Sequence, residues 1–282
     1  MKLSKKFIKI FDKKGFRWVI CIFFKLISFY KTGIINRFKY DRSNNRWMQF
    51  HRELCFYIDK RPNWNACIAY FEQYVNQINF VQYKPSDGDV IVDIGAGVGT
   101  ETIIFSMKVG SGKVYAIEAH PDTYHSLCLL KDVNGFDNLV ISNVAISDQN
   151  SMLYIENRDN HAENKIWPDH LNGIAIKAMT LDEYVEMNNI LKINFLKMNI
   201  EGAEMDAIKG MNESIKIIDY IAISCHDFLI SKFESKIKDT ITEYLINNNY
   251  KVVSKNTGHV VKDSWIYGER LKQSQYGISQ TY

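Results

Sequence analysis

Three groups of residues have the types and spacing for chemistry. The first is a D-x-G-x-G-x-G stretch in which Asp93 precedes Gly95, Gly97 and Gly99, with Ala96 and Thr100 beside them. Three missing side chains at one bend let a ligand approach the backbone amides that open the next helix. The second is Glu118-Ala119, about one strand-helix-strand unit further on. A carboxylate there can accept two hydrogen bonds from a ribose diol. The third comprises Asn143, Asn199, Glu201, Glu204 and His226, each near the end of an apolar run. Asn143 has the donor and acceptor for an adenine edge. A carboxylate or imidazole held against a hydroxyl serves as a general base, and Asn199 could orient either reactant. Glu201 and Glu204 equally suit the first turn of a helix, where carboxylates stabilise the N-terminus, and His226 equally suits a buried strand end.

These residues need strands and helices to position them. Val90, Ile91, Val92 and Ile94 form a short apolar run without helical spacing, as expected for a central strand covered on both faces. Residues 113–119, 139–145, 151–155, 174–181, 193–200 and 220–225 read as further strands. Helices open near Thr100, at Pro121 and after Glu204, and a long one covers 228–246; the second stops at Asn134-Gly135. The runs 250–254 and 260–267 read as a closing pair that supplies one antiparallel strand. This alternation predicts a mostly parallel sheet with helices on both faces. Upstream, 43–83 reads as helical around Trp47, Phe50, Leu54, Phe56 and Tyr57, then Ile68, Phe71, Tyr74, Val75 and Ile78. The expected division is a basic amphipathic segment at 1–42, a helical cap at 43–84 and a catalytic domain at 85–282.

Spacing narrows the ligand. A dinucleotide fingerprint would place its third glycine at position 100, which is Thr100. A nicotinamide-dependent oxidoreductase is therefore disfavoured. The acidic residue two positions before the first glycine resembles motif I of S-adenosylmethionine-dependent methyltransferases, whose ligand has no pyrophosphate.

Composition is that of a globular protein, 46% hydrophobic and 24% charged over 282 residues. Five cysteines without a C-x-x-C pair point to a reducing, cytoplasmic compartment. No metal site is read, because His161 and His170 lack a helical H-x-x-x-H or a cysteine partner. Charge is uneven. Residues 1–42 hold 12 of the 35 Lys+Arg and 2 of the 32 Asp+Glu, leaving 23 against 30 in the rest. Basic residues interleaved with Trp and Phe suit the inner face of an anionic membrane or a membrane-bound partner; packing on the domain or on a second subunit is the alternative. The apolar run at 18–24 is too short to span a bilayer, and nucleic acid is not the expected partner. Oligomeric state is not read from the chain.

Five segments together resemble the FkbM-family methyltransferases: V-D-I-G-A-G-V-G at 92–99, I-E-A-H-P at 117–121, N-V-A-I-S-D at 143–148, T-L-D-E-Y at 180–184 and L-K-M-N-I-E-G-A-E at 196–204. The resemblance implies a Rossmann-like, seven-stranded class I methyltransferase fold, S-adenosylmethionine as donor, and O-methylation of a hydroxyl on a sugar, glycan, glycolipid or related metabolite. Under it, Asp93, Gly95, Ala96, Gly97, Gly99, Thr100, Glu118, Ala119, Asn143 and Asn199 are the expected donor-site residues, and His226, Glu201 and Asn199 the expected catalytic ones. The chain has Gly97 where the family commonly has asparagine, Asn199 where it commonly has aspartate, and Ser224 near a usual acidic position. A second reading, a weakly catalytic module of the same fold serving as a membrane-associated partner in glycan biosynthesis, rests on Asn199 and the basic N-terminal segment.

Overall fold

The computed structural model describes residues 16–63, 66–156, 166–167, 173–226 and 237–272. It opens with helix α1 (Arg17–Thr32), closed by Gly33 in the left-handed conformation. An antiparallel meander follows, β1 (Arg37–Asp41), β2 (Arg46–His51) and β3 (Leu54–Asp59). The helices expected across 43–59 are therefore strands, and the expected boundary at 42/43 falls inside the β1–β2 hairpin. The physical reason is two-sided burial. Ile20 and Phe24 of α1 pack with Phe38 and Trp47 on one face, while the other face joins the main core through Met48, Phe50 and Phe56. A strand covered twice loses the period-two signal, and its apolar spacing then imitates a helix. Asn45 and Arg52, both at positive φ, make the two reversals. Among the described residues, no helix is long and apolar enough to cross a membrane.

Residues 68–79 are helical as expected: α2 (Ile68–Tyr74) runs directly into a π-helical turn, Val75–Asn79. This delivers Phe80 and Tyr83 onto the sheet. The Phe80 ring lies 5.3 Å from Phe105 and 5.4 Å from Phe195, and Tyr83 stacks on Phe195 at 4.8 Å.

The main sheet is built from β4 (Val90–Ile94), α3 (Thr102–Val109), β5 (Lys113–Ile117), α4 (Pro121–Asn134) and β6 (Leu139–Ser142). The expected strand 139–145 breaks at Asn143, and its continuation β7 (Ala145–Ile146) enters a second, four-stranded sheet with β8 (Ser151–Ile155), β9 (Ile166–Trp167) and β10 (Ile174–Met179). The chain returns through α5 (Leu181–Met187), β11 (Ile193–Met198), α6 (Glu204–Lys209), β12 (Ile218–Ser224), α7 (Ile237–Asn247) and β13 (Tyr250–Ser254). The expected strand over 260–267 is instead a helical turn, α8 (Val260–Asp263), and then β14 (Trp265–Arg270). Asp263 explains the turn, because its carboxylate accepts from Thr257 N and Oγ1, both at 2.8 Å. The first part of the helix expected over 228–246 lies outside the described residues.

Strand order is β13-β14-β12-β11-β4-β5-β6, with β14 antiparallel to both neighbours and the other pairs parallel. This is the seven-stranded, Rossmann-like α/β architecture. Alternate strand residues feed opposite cores: Ile91, Phe195 and Ala222 one, Val92, Leu196 and Ile221 the other. The chain leaves β4 toward β5 on one side and returns as β11 on the other, so a crevice opens at the carboxyl ends of β4 and β11.

Phe195 holds the 66–83 segment to this sheet and is 1% exposed. Phe195→Ala should cost about 3–5 kcal/mol of unfolding free energy, measured by urea denaturation. A loss below about 1 kcal/mol would mean that the ring cluster can collapse onto the vacancy.

Candidate active site

The three motif glycines do three different things. Gly95, at φ 77°, stands where a Cβ would lie 2.1 Å from the carbonyl oxygen of Asn199, so only glycine lets the turn after β4 touch the end of β11. Gly97, at φ 59°, has open space where its Cβ would be, and forms a bare cradle wall. Its N–H donates to Glu118 Oε2 at 2.8 Å. Gly99 faces away: a Cβ there would meet Leu127 Cδ1 at 2.5 Å and Leu130 Cδ2 at 2.7 Å, so this glycine seats α4.

Beneath the turn lies a buried ionic cluster. Lys197 is paired in register with Asp93 on the neighbouring strand. Its ammonium donates to Asp93 Oδ1 at 2.9 Å and Gly95 O at 2.8 Å, and Glu101 Oε2 lies 3.5 Å away. Thr102 Oγ1 donates to Asp93 Oδ2 at 2.6 Å. Burial draws the Lys197 pKa down, but the charges of Asp93 and Glu101 more than offset it, and the net shift is upward. Burial likewise pushes the Glu101 carboxyl up, against the pull of Lys197 and with the help of Asp93. Asp93 was expected to contact ligand; it does not line the cavity and holds Lys197 and Thr102 instead. Lys197 and Glu101 do line it. Neither was assigned a role from sequence, although a lysine inside an apolar strand is itself a signal, since it is seldom fully buried unpaired.

The cavity above them has a volume of about 190 Å³ and opens to solvent. Of the residues assigned to donor binding from the sequence, Gly95, Ala96, Gly97, Thr100, Glu118, Ala119 and Asn199 line it, with Val144, Ala145, Ile146 and Ile155 as an apolar wall. Glu118 Oε1 accepts from His120 N at 2.9 Å, so each carboxylate oxygen accepts from a backbone N–H and the carboxylate is fixed at the cavity wall. Asn143 is not on the wall. Its Nδ2 donates to Glu118 O and Ala119 O, at 2.8 and 2.9 Å, and so fixes the loop that aims Glu118. Gly99 is the other expected ligand residue that stands off the cavity.

At the far end, Glu201 lines the cavity at φ 55°, followed by Gly202 at φ 103°. A glutamate in the left-handed region is strained, and such strain clusters at functional sites. Glu204, fully buried at the start of α6, accepts from Ile200 N at 3.2 Å and meets His226 Nδ1 at 2.6 Å. His226 Nε2 in turn lies 3.6 Å from Glu201 Oε2. His226 thus stands behind the cavity wall and reaches the cavity through Glu201. Burial draws its pKa down, yet the Glu204 hydrogen bond and the Glu204 and Glu201 charges raise it further, for a net upward shift. The loop histidines His161 and His170 lie outside the described residues.

Residues 93–252, more than half of the chain, match the family described as the methyltransferase FkbM domain. The chain belongs to the FkbM methyltransferase family. Among relatives of this FkbM protein, the hexuronic acid methyltransferase AglP of Haloferax volcanii is 25% identical over 53% of this chain and 61% of its own length. The 2-O-methyltransferase NoeI of Sinorhizobium fredii is 23% identical over 45% of this chain and 58% of its own. The chain thus spans about three-fifths of these relatives. Among solved structures, Aeropyrum pernix fibrillarin with bound S-adenosyl-L-methionine covers 67% of this chain and 70% of its own, at 13% identity and a TM-score of 0.42.

S-adenosylmethionine is the donor of FkbM methyltransferases, and the residues present fit it. The open cradle at Gly97 admits a ligand against the backbone, the Glu118 carboxylate at the cavity wall suits a ribose diol, and the wall of Val144, Ala145, Ile146 and Ile155 suits a flat base. The cluster of Asp93, Glu101 and Lys197 places two carboxylates against one ammonium beneath a site for a cationic ligand. When bound, the donor supplies a methyl group made electrophilic by its sulfonium.

Glu118→Ala should weaken donor affinity about 10- to 100-fold, the worth of charge-assisted hydrogen bonds, as read by isothermal titration, with little change in thermal midpoint. Unchanged affinity would remove Glu118 from the donor site. Lys197→Met strands Asp93 and Glu101 in the core, and should cost about 3–5 kcal/mol of stability in chemical denaturation.

Proposed function

We propose that this FkbM protein transfers the methyl group of S-adenosylmethionine to a hydroxyl oxygen of a sugar, glycan or related metabolite. One observation carries the reading: His226, hydrogen-bonded to buried Glu204, stands 3.6 Å behind Glu201, which lines the cavity beyond the glycine cradle. The names of AglP, a hexuronic acid methyltransferase, and NoeI, a 2-O-methyltransferase, support a sugar hydroxyl as acceptor.

Methyl transfer from a sulfonium is an in-line displacement, so the site must mainly hold the acceptor oxygen opposite the sulfur at near-attack distance. A sugar hydroxyl becomes a competent nucleophile only as its proton leaves, which calls for a base. Glu201, on the cavity wall, takes the hydrogen bond of the acceptor. His226 Nε2 behind it receives the proton, and Glu204 holds the imidazole by Nδ1 and stabilises the resulting cation. The O–H bond breaks, the O–CH3 bond forms, and the sulfur keeps the electron pair of the broken S–CH3 bond. Asn199 orients the acceptor or the amino-acid end of the donor without adding charge.

The base must be neutral to act, so kcat/KM should rise with pH through an apparent pKa above the ordinary histidine value of about 6.5. Glu204→Gln removes the negative partner and should move that limb downward while lowering kcat. His226→Ala should lower kcat about 100-fold or more with donor affinity intact. An acceptor screen by mass spectrometry, scoring gain of one methyl on sugar substrates, supplies the assay. Donor binding without turnover on any hydroxyl would favour the weakly catalytic module.

A further inference from the structure

Helix α1 is apolar on two opposite sides. Its inner side, Ile20, Phe24 and Ser28, is buried under the meander. Its outer side carries Trp18, Ile22, Leu26, Phe29 and Tyr30, each between 52% and 86% exposed. At 100° per residue these five fall within one third of the helix circumference, opposite the buried stripe. Ile35, just past the helix, extends the patch at 59% exposure. Scattered exposed apolar residues need no explanation, but a contiguous aromatic patch marks an interaction surface.

The charges around it choose the partner. Residues 16–40 contain Arg17, Lys25, Lys31, Arg37 and Lys39 and no acidic residue; exposed Lys25 flanks the patch directly, while Lys31, in the last turn on the side of the buried stripe, and Arg37 and Lys39 of β1 are exposed beyond it. A second copy docked by a twofold axis would set these cations against themselves with no carboxylate in the segment to pair them. An anionic lipid surface would satisfy both features: aromatic and aliphatic side chains enter the headgroup boundary while the lysines meet phosphates. The rest of the chain, beyond residue 42, has more acidic than basic residues, 30 against 23. That excess repels an anionic surface and leaves the α1 edge as the one that faces it. With 16 residues, α1 is shorter than a span and lies in the membrane plane.

We propose that the outer face of α1 binds anionic membrane surfaces as an in-plane interfacial helix. The inference is independent of the methyl acceptor. Vesicle sedimentation tests it with the full chain, comparing phosphatidylglycerol–phosphatidylcholine mixtures with phosphatidylcholine alone. The protein should pellet with the mixed vesicles, remain soluble with the neutral ones, and be released by high salt. Lys25→Gln with Lys31→Gln should lower the partition coefficient by about tenfold or more. Trp18→Ser, Leu26→Ser and Tyr30→Ser together should abolish pelleting while S-adenosylmethionine affinity stays at the wild-type value, which shows that the fold is intact. Failure of the full chain to pellet at low salt, or pelleting of the triple variant like wild type, would overturn the proposal. So would a dimer seen by light scattering that the triple variant converts to monomer, since the face would then belong to a second copy.

Discussion

The ion pair between Lys197 and Asp93 is the constraint around which the site is organised. Both side chains are withdrawn from water, at 2% and 0% exposure, on adjacent strands at the point where strand order reverses. Such a pair is weak evidence of added stability, because desolvating two charges consumes much of their attraction, but separating it is strongly unfavourable. It therefore sets register: a one-residue slip of β11 against β4 would turn Lys197 toward the opposite core, away from Asp93 and Glu101. From that register follow the contact of Gly95 with the Asn199 carbonyl, the direction of the glycine turn, and the position of Glu201 above it. The lysine also carries the Gly95 carbonyl, so strand pairing and turn geometry share one cation.

The two ends of the cavity have different electrostatic designs. At the glycine-turn end, carboxylates outnumber cations, and Glu118 accepts from the backbone amides of Gly97 and His120. At the other end, a histidine sits between two glutamates. Its elevated basicity comes from a buried partner, Glu204, so it is set by how the start of α6 meets the chain just past β12. Glu204 also accepts from Ile200 N on the cavity wall, so one buried carboxylate sets both the proton affinity of His226 and the shape of the wall beside Asn199.

Much of this was legible from residue order. The glycine turn, the Glu118 carboxylate, the parallel sheet and the cluster near 199–226 follow from local patterns, since a short apolar run that ends in a turn without side chains marks a strand leading into a helix. Three things were not legible. Strands β2 and β3 of the meander are buried on both sides, and their spacing mimics a helix. Asp93, Gly99 and Asn143 stand off the cavity wall and hold neighbours, a placement that depends on which way each residue points after folding. Lys197 and Glu101 acquire their place only through pairing across strands far apart in the chain.

The meander also bears on where this protein can be cut. Met48, Phe50, Phe56 and Ile58 share one continuous core with Ile91, Ile103 and Leu127. Arg46, 4% exposed, bonds Ser126 and Asp122 of α4, and the side-chain amide of Asn134 pairs with both backbone groups of Cys55. The segment matched by the family, 93–252, is thus a unit of sequence similarity but not a unit of folding. An expression fragment begun at residue 85 would bare one flank of the helix that starts three residues after Glu118, and the donor pocket would lose the buttress that keeps it in shape.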